Sequence, residues 1–365
     1  MNEEYYMKLA LSLAESAAYQ TTPNPPVGAV VVKDGRLLGM GAHLKAGEAH
    51  AEVNALKQAG DEAKGADIYV TLEPCAHFGK TPPCADLIIE KGLRRVFIAA
   101  MDPNPLVGGK GIEKLQAAGI EVYTGMCEEE ATELLTPFFH FIQTKRPYVT
   151  IKTAVTADGK TAAHTGHSRW ITSDAAREDV HLLRSRHDAI LTGIGTVLLD
   201  NPLLTSRLPQ GGKHPIRIVL DTHLRVPIDY NIIQNKEAKT IIFCASDAQT
   251  KKQRALEEEG VTVIRLPYMS IDAVLDELGK MNIMTLLVEA GAEMNASFLD
   301  IGAFNRLVMY MAPKLIGGKS APSSFGGLGG SSMDEALDLD FVSIDRIGPD
   351  LKIVMEKKVM ECLQE

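Results

Sequence analysis

The chain has 365 residues, with 47 acidic against 38 basic side chains for a formal net charge of −9. That length exceeds one ordinary core, so two domains are expected, and the acidic balance argues against a general nucleic-acid binder, which would present a basic face. A single tryptophan and few aromatics argue against a base-stacking platform for a long single strand. Small-molecule substrates fit better.

The N-terminal residues lack the basic and apolar segments of a secretory signal, and no run reaches membrane-spanning length. A cytoplasmic location is expected, with no membrane and no nucleic-acid partner; a homo-oligomer, dimer or tetramer, is also expected. Residues Glu3 to Tyr19 carry Tyr6, Leu9, Leu13 and Ala17 at helical spacing. Thr22-Pro-Asn-Pro-Pro-Val-Gly28 is a rigid turn before the apolar run Val27 to Val32, and Asp34-Gly35 turns that run into a hairpin with Leu37 to Gly41. Asn24, held between prolines, reads as a turn residue or as a contact to a base edge.

His50-Ala-Glu52 follows at the start of a short helix, Val53 to Ala59, closed by Gly60. A strand, Asp67 to Leu72, leads into Glu73-Pro74-Cys75, and Cys84 opens a helix from Ala85 to Lys91. Each cysteine alone reads as a small buried hydrophobe. Together, His50, Cys75 and Cys84 make three zinc ligands, which leaves a tetrahedral position open for water, as in catalytic rather than structural zinc sites. Cys84 at a helix N-terminus has its thiolate favoured. Glu52, not itself a ligand, can take a proton from that water and hand it to a departing amine, the role of the non-ligand glutamate in zinc nucleobase deaminases. Cys127, Cys244 and Cys362 have no such surroundings and read as structural, and an odd cysteine count with two thiols committed to metal suits a reduced compartment.

Between the two metal-binding thiols, His77, Lys80 and Thr81 project from a long loop. Lysine as a point charge and threonine as a donor suit a phosphate; a solvated loop is the alternative. Next come a strand from Arg95 to Ala100, Asp102-Pro-Asn104, a helix from Gly111 to Ala118, a strand from Ile120 to Thr124 and a helix from Glu128 to Phe141. Such alternation predicts a sheet layered with helices, whose carboxyl edge gathers Cys75 and Asn104 into one crevice.

Thr144-Lys-Arg-Pro147 is charged and proline-punctuated and sets the domain boundary, giving domains at 1–146 and 147–365. The second half alternates again. Strands are expected at Tyr148 to Thr153, Ala189 to Thr192, Ile216 to Asp221, Thr240 to Cys244 and Thr285 to Glu289, with one more ending near Lys314, and a helix from Asp174 to about Arg184. Glu289 followed by Gly291 and a helix suggests amides that cradle phosphate, as does Gly193-x-Gly195. Both are weak motifs, and a plain strand-to-helix turn is the alternative.

Thr22-Pro-Asn-Pro-Pro-Val-Gly, His50-Ala-Glu, Leu72-Glu-Pro-Cys-Ala-His-Phe-Gly-Lys-Thr-Pro-Pro-Cys84 and Met101-Asp-Pro-Asn-Pro together resemble the deaminase domain of the bifunctional riboflavin-biosynthesis deaminase/reductase family, and the likeness continues through the second half. The resemblance implies an α/β chain: an N-terminal cytidine-deaminase-like three-layer α/β/α domain and a C-terminal dihydrofolate-reductase-like α/β domain. It implies one zinc ion in the first and NADPH in the second. For the deaminase it implies Glu52 as the catalytic group, with Asn24, His77, Lys80, Thr81 and Asn104 on the substrate.

For the reductase it implies Lys152 and Asp200 near the hydride-transfer centre. Ala154, Trp170, Thr196, Asp200, Thr222, Gly291, Ala292, Glu293, Met294, Asn295, Ala296 and Ser297 would contact the cofactor, and Ser168, Arg184, Leu204, Arg207 and Glu289 the substrate. Arg184 and Arg207 would clamp a ribose phosphate bidentately; alone, each reads as a surface ion-pair residue. The family's usual Glu-Gly-Gly-Ala stands here as Glu289-Ala290-Gly291-Ala292, which puts a methyl where backbone approaches phosphate. The implied reactions are deamination of 2,5-diamino-6-ribosylamino-4(3H)-pyrimidinone 5′-phosphate, then NADPH-dependent reduction of 5-amino-6-(5-phosphoribosylamino)uracil to its ribitylamino product. Two alternatives are a nucleic-acid-editing zinc deaminase with an accessory domain and a non-catalytic zinc-stabilised nucleotide-binding protein.

Overall fold

Helix α1 (Glu3–Ala17) is capped at its start by the Asn2 side chain, which accepts from Glu4 N, and it buries Tyr6, Met7, Ala10, Leu11, Ala14 and Ala17 along one face. The computed structural model describes residues 2–76, 78, 82–104 and 108–358. Its contacts divide into two units, Met1–Arg146 and Pro147–Glu365.

In the first unit, α1 leads to an antiparallel hairpin of β1 (Gly28–Lys33) and β2 (Arg36–Ala42). Asp34 and Gly35 between them both have positive φ, 50° and 75°, the geometry a tight hairpin turn requires. With β3 (Asp67–Leu72), β4 (Arg95–Ala100) and β5 (Glu121–Thr124) they form a five-stranded sheet in the order β2-β1-β3-β4-β5, parallel from β3 to β5. Helices α2 (Ala51–Ala59) and α3 (Cys84–Glu90) cover one face, packing Ala55, Leu56 and Ile88 on Ala29, Val31, Ile68, Val70, Val96 and Ile98. The strand residues of opposite parity, Tyr69 and Phe97, stack on the other face beneath Tyr6 of α1. Helices α4 (Lys110–Ala117) and α5 (Glu128–Thr144) complete the layers. Gly41 lets α2 sit directly on the hairpin: a Cβ there would lie 2.6 Å from the Ala51 carbonyl oxygen.

The second unit is built on nine strands: β6 (Tyr148–Thr156), β7 (Ala189–Gly193), β8 (Ile216–Leu220), β9 (Thr240–Ala245), β10 (Thr262–Leu266), β11 (Thr285–Val288), β12 (Arg306–Ala312), β13 (Leu339–Ile347) and β14 (Asp350–Lys357). Their order is β10-β9-β8-β7-β11-β6-β12-β14-β13, parallel up to β12 and antiparallel through the last two. Around them lie α6 (Asp174–Ser185), α7 (Ile194–Asp200), α8 (Asn231–Gln234), α9 (Thr250–Glu258), α10 (Ile271–Lys280) and α11 (Ala292–Asp300). Central strands are apolar on both faces. Ala189, Leu191, Ile218 and Leu220 join one core, whereas Ile190 and Val219 join the core on the other side.

β10, the β13–β14 hairpin and helices α7 to α10 go beyond the sequence-based expectation. In β13 the cause is visible: Phe341, Val342 and Ile344 are exposed apolar residues interleaved with acids, so no clean period of two survives.

Candidate active sites

In the first unit, β3 delivers Cys75 from the carboxyl edge of the sheet while α2 and α3 each present a ligand at their starts. His50 is the N-cap of α2 and Cys84 is the first residue of α3. The His50 Nδ1 lies 3.2 Å from Cys84 Sγ and 3.7 Å from Cys75 Sγ, and Cys84 N donates to Cys75 Sγ at 3.3 Å. The three donor atoms fall within 4.8 Å of one another. A tetrahedral zinc with ordinary Zn–N and Zn–S bonds needs an N-to-S edge of about 3.6 Å, so this donor set fits the ion in chemistry and in size. The two thiols share one proton: the hydrogen bond from Cys84 holds Cys75 down to about 4, and the same contact pushes Cys84 up.

Glu52, in the first turn of α2, is only 3% exposed. Burial pushes its carboxyl above the usual carboxylate range, and the neighbouring Cys75 adds to that. Its side chain contacts Cys84, which sets it beside the cluster of His50, Cys75 and Cys84, though it is not one of the three grouped donors.

Asn24 reaches this cluster through a residue that sequence reasoning missed. His43 is 2% exposed; its Nδ1 bonds to the Ala49 carbonyl at 3.1 Å, which leaves Nε2 to accept from Asn24 Nδ2 at 3.0 Å. The rings of His43 and His50 pack edge to face at 5.4 Å. A lone histidine after β2 carries no pattern that could have announced it. Glu73 was also missed in its role: its carboxylate accepts from Gly109 N and Gly111 N and so caps α4 beside the Cys75 loop. Asn104 sits after β4 at the same sheet edge, in a turn closed by Asp102 Oδ1. His77, Lys80 and Thr81 lie outside the described residues.

In the second unit the carboxyl ends of the parallel strands open into a cleft of about 1230 Å³. Lys152 and Ala154 from β6, Ser168 and Trp170, Arg184 from α6, Thr196 and Asp200 from α7, Leu204 and Arg207, Thr222, Glu289, and Gly291 to Asn295 with Ser297 all line it. Ala296 is not among the lining residues: it is 3% exposed and lies against Gly327. Ala290 lines the cleft, but it also packs against the apolar core under β11, and Gly291 keeps the approach to α11 open. The N-cap of α11 is Gly291, which has no side chain of its own to cap the helix, an arrangement that suits phosphate at its N-terminus.

A buried ion cluster forms the floor. Arg184 Nε and Nη2 donate to the two oxygens of Glu289 at 2.7 and 2.9 Å, and Lys152 Nζ lies 3.7 Å from the same carboxylate. Burial opposes ionisation of Glu289, but Arg184 and Lys152 hold it down to about 2. Burial lowers Lys152, with Glu289 offsetting part of the fall. The Arg184 fork is closed on Glu289, whereas Arg207 donates to Thr205 Oγ1 at 3.5 Å. Lys152 and Asp200 share the cleft, yet the ion partner of Asp200 is Arg169 at 3.9 Å.

Residues 1–100 match the family model for the cytidine and deoxycytidylate deaminase zinc-binding region, and residues 147–353 match the RibD C-terminal domain. The riboflavin biosynthesis protein RibD of Bacillus amyloliquefaciens is 52% identical over 353 residues, covering 96% of this chain and 95% of that one. The chain belongs to the RibD family. It is a bifunctional enzyme of riboflavin biosynthesis, a deaminase and a reductase on one chain. The Escherichia coli RibD is 41% identical over 368 residues, covering 96% and 98% of the two chains. Among RibD-family structures, that of Acinetobacter baumannii RibD superposes with a TM-score of 0.88 at 38% identity, covering 98% of this chain and 99% of the other. The Thermotoga maritima diaminohydroxyphosphoribosylaminopyrimidine deaminase/5-amino-6-(5-phosphoribosylamino)uracil reductase gives 0.87 at 37%, covering 97% and 98%. The editing and non-catalytic alternatives are not favoured. Among the described residues no helix is long and apolar enough to cross a membrane.

Proposed function

We propose that residues 1–146 deaminate 2,5-diamino-6-ribosylamino-4(3H)-pyrimidinone 5′-phosphate and that residues 147–365 reduce the resulting 5-amino-6-(5-phosphoribosylamino)uracil with NADPH. The observation that carries the reading is the triangle of His50, Cys75 and Cys84 with buried Glu52 at its edge. These three side chains would hold zinc, which when bound supplies Lewis-acid activation of water. Glu52 takes a proton from the attacking water and delivers it to the amine nitrogen, which leaves as ammonia while the carbon keeps the oxygen. Asn24, oriented by His43, offers its amide to the edge of the base.

The cleft residues of the second domain would hold NADPH, which when bound would supply the hydride for C1′ of the ribose as the bond from C1′ to the ring oxygen breaks. Lys152 Nζ, its pKa lowered by burial, gives a proton to the oxygen released, and Glu289 holds that ammonium in place. Three cations, Lys152, Arg184 and Arg207, face the one carboxylate of Glu289, so the cleft floor retains positive charge for the ribose phosphate.

The test is direct. Incubation with the diaminopyrimidine nucleotide alone yields the uracil, one mass unit heavier by exchange of an imino for an oxo group; adding NADPH yields the ribitylamino product. A product mass unchanged in both reactions would remove the proposal.

A further inference from the structure

β8 carries a cation in a place where its neighbours are apolar. Arg217 is 1% exposed and shares the face of the sheet that packs Leu204, Val219, Ile232 and Ile233. Its hydrogen-bond partners are neutral oxygens, not a carboxylate. Nη1 donates to the Leu203 carbonyl at 3.3 Å and to Asn235 Oδ1 at 3.4 Å, Nη2 donates to the carbonyls of Asn235 at 2.7 Å and Ala238 at 2.6 Å, and Nε has no partner. Burial pulls the group down to about 10. Glu237 offsets only part of that fall and its carboxylate is not among the bonded partners, so the buried charge is held chiefly by neutral oxygens, which is costly.

What the guanidinium fixes is a loop. The Leu203 carbonyl immediately precedes Leu204, which has φ of 51°, a conformation that a leucine adopts only when its surroundings impose it. Leu204 is 4% exposed and lines the reductase cleft. Two residues on, Arg184 Nη1 donates to the Thr205 carbonyl at 3.2 Å, and Arg207 donates to the Thr205 hydroxyl. Alternate carbonyls of one strained loop are thus gripped by two arginines, Arg184 in the cleft and Arg217 from within the sheet. The far end of the loop, Asn201, is tied to Asn231 through two further hydrogen bonds.

We propose that Arg217 is a positioning residue for the reductase site, fixing the 201–207 loop through the Leu203 carbonyl and thereby the placement of Leu204 and Arg207 against the phosphate-bearing substrate. The inference rests on the reductase reading for what fills the cleft. Lysine could not replace it fully, because a single ammonium does not present the planar fork that spans the carbonyls of residues 203, 235 and 238.

The full-length Arg217→Lys and Arg217→Met variants test this. With saturating NADPH, Arg217→Met should raise KM for the phosphoribosylaminouracil about tenfold while kcat stays within about twofold, the pattern of lost substrate binding rather than lost chemistry. Arg217→Lys should recover part of that loss, and deamination should match the wild type in both. If the methionine variant does not fold, the lysine variant carries the measurement. Amide hydrogen exchange over residues 203–207 should quicken in Arg217→Lys, a readout that needs no substrate. Unchanged KM with unchanged exchange would overturn the proposal, as would a fall in kcat without a rise in KM. A wild-type enzyme that reduces nothing, with exchange quickened in the variant, would instead remove the reductase reading and leave the loop assignment standing.

Discussion

Glu52 and Glu289 are the same side chain buried in two different fields. Glu52 lies against thiols, and burial pushes its carboxyl up with His50 offsetting only part of the rise, which makes it a group that can carry a proton. Glu289 has Arg184 and Lys152 against it and stays ionised, a fixed anion that orients two cations. Replacing Glu52 by glutamine removes the proton carrier and keeps the shape. Glu52→Gln should retain zinc by elemental analysis, lose about 10²–10⁴-fold in deamination and reduce supplied uracil normally; undiminished ammonia release would refute the role. Lys152→Ala should do the reverse, slowing NADPH oxidation with the uracil while ammonia release continues, and a normal NADPH rate would end that assignment. That His50, Cys75 and Cys84 come together was legible because residue type and spacing both pointed to them. The Arg184–Glu289 pair was not, since its members are 105 residues apart and only folding shows that the arginine fork is already occupied. His43 was hidden for the same reason: its partners Asn24 and Ala49 come from separate segments.

Elements do their work at strand exits. β3 ends one residue before Glu73, and the short stretch Glu73-Pro74-Cys75 is held against the start of α4 by two backbone amides. Gly111 is the reason the approach is possible, because a Cβ there would sit 2.1 Å from the Pro74 carbonyl oxygen. Relief requires a shift of about 1 Å in the backbone that carries Cys75, a displacement large enough to cost up to about 10²-fold in rate. Gly111→Ala should therefore weaken zinc retention during dialysis and lower kcat/KM for deamination, with reduction unaffected; wild-type deamination would show that the Cys75 segment absorbs the shift. Most strands could be read from the sequence because β-branched runs between turn residues, such as Arg95 to Ala100, are buried on both faces. The β13–β14 hairpin escaped because its register depends on pairing with β12, not on a pattern of its own.

At the scale of the molecule, each unit has its own apolar core and its own chemical cluster: the triangle of His50, Cys75 and Cys84 lies within Met1–Arg146 and the ion cluster of Lys152, Arg184 and Glu289 within Pro147–Glu365. Metal removal should therefore act on one unit. A ligand present at a thousand times its dissociation constant stabilises the state that binds it by about 4 kcal/mol, and a domain of this size shifts by about 2–4 °C per kcal/mol. Chelation should lower the unfolding midpoint of the deaminase unit by roughly 10 °C and abolish ammonia release. Reduction of supplied uracil and the unfolding of the reductase unit should persist, because among the described residues the candidate ligands His50, Cys75 and Cys84 all lie within residues 1–146. Readdition of zinc should restore both the midpoint and deamination. Loss of both activities together on chelation, with both restored by zinc, would mean that the reductase also depends on the metal site, and the assignment of one chemistry to each unit would fall.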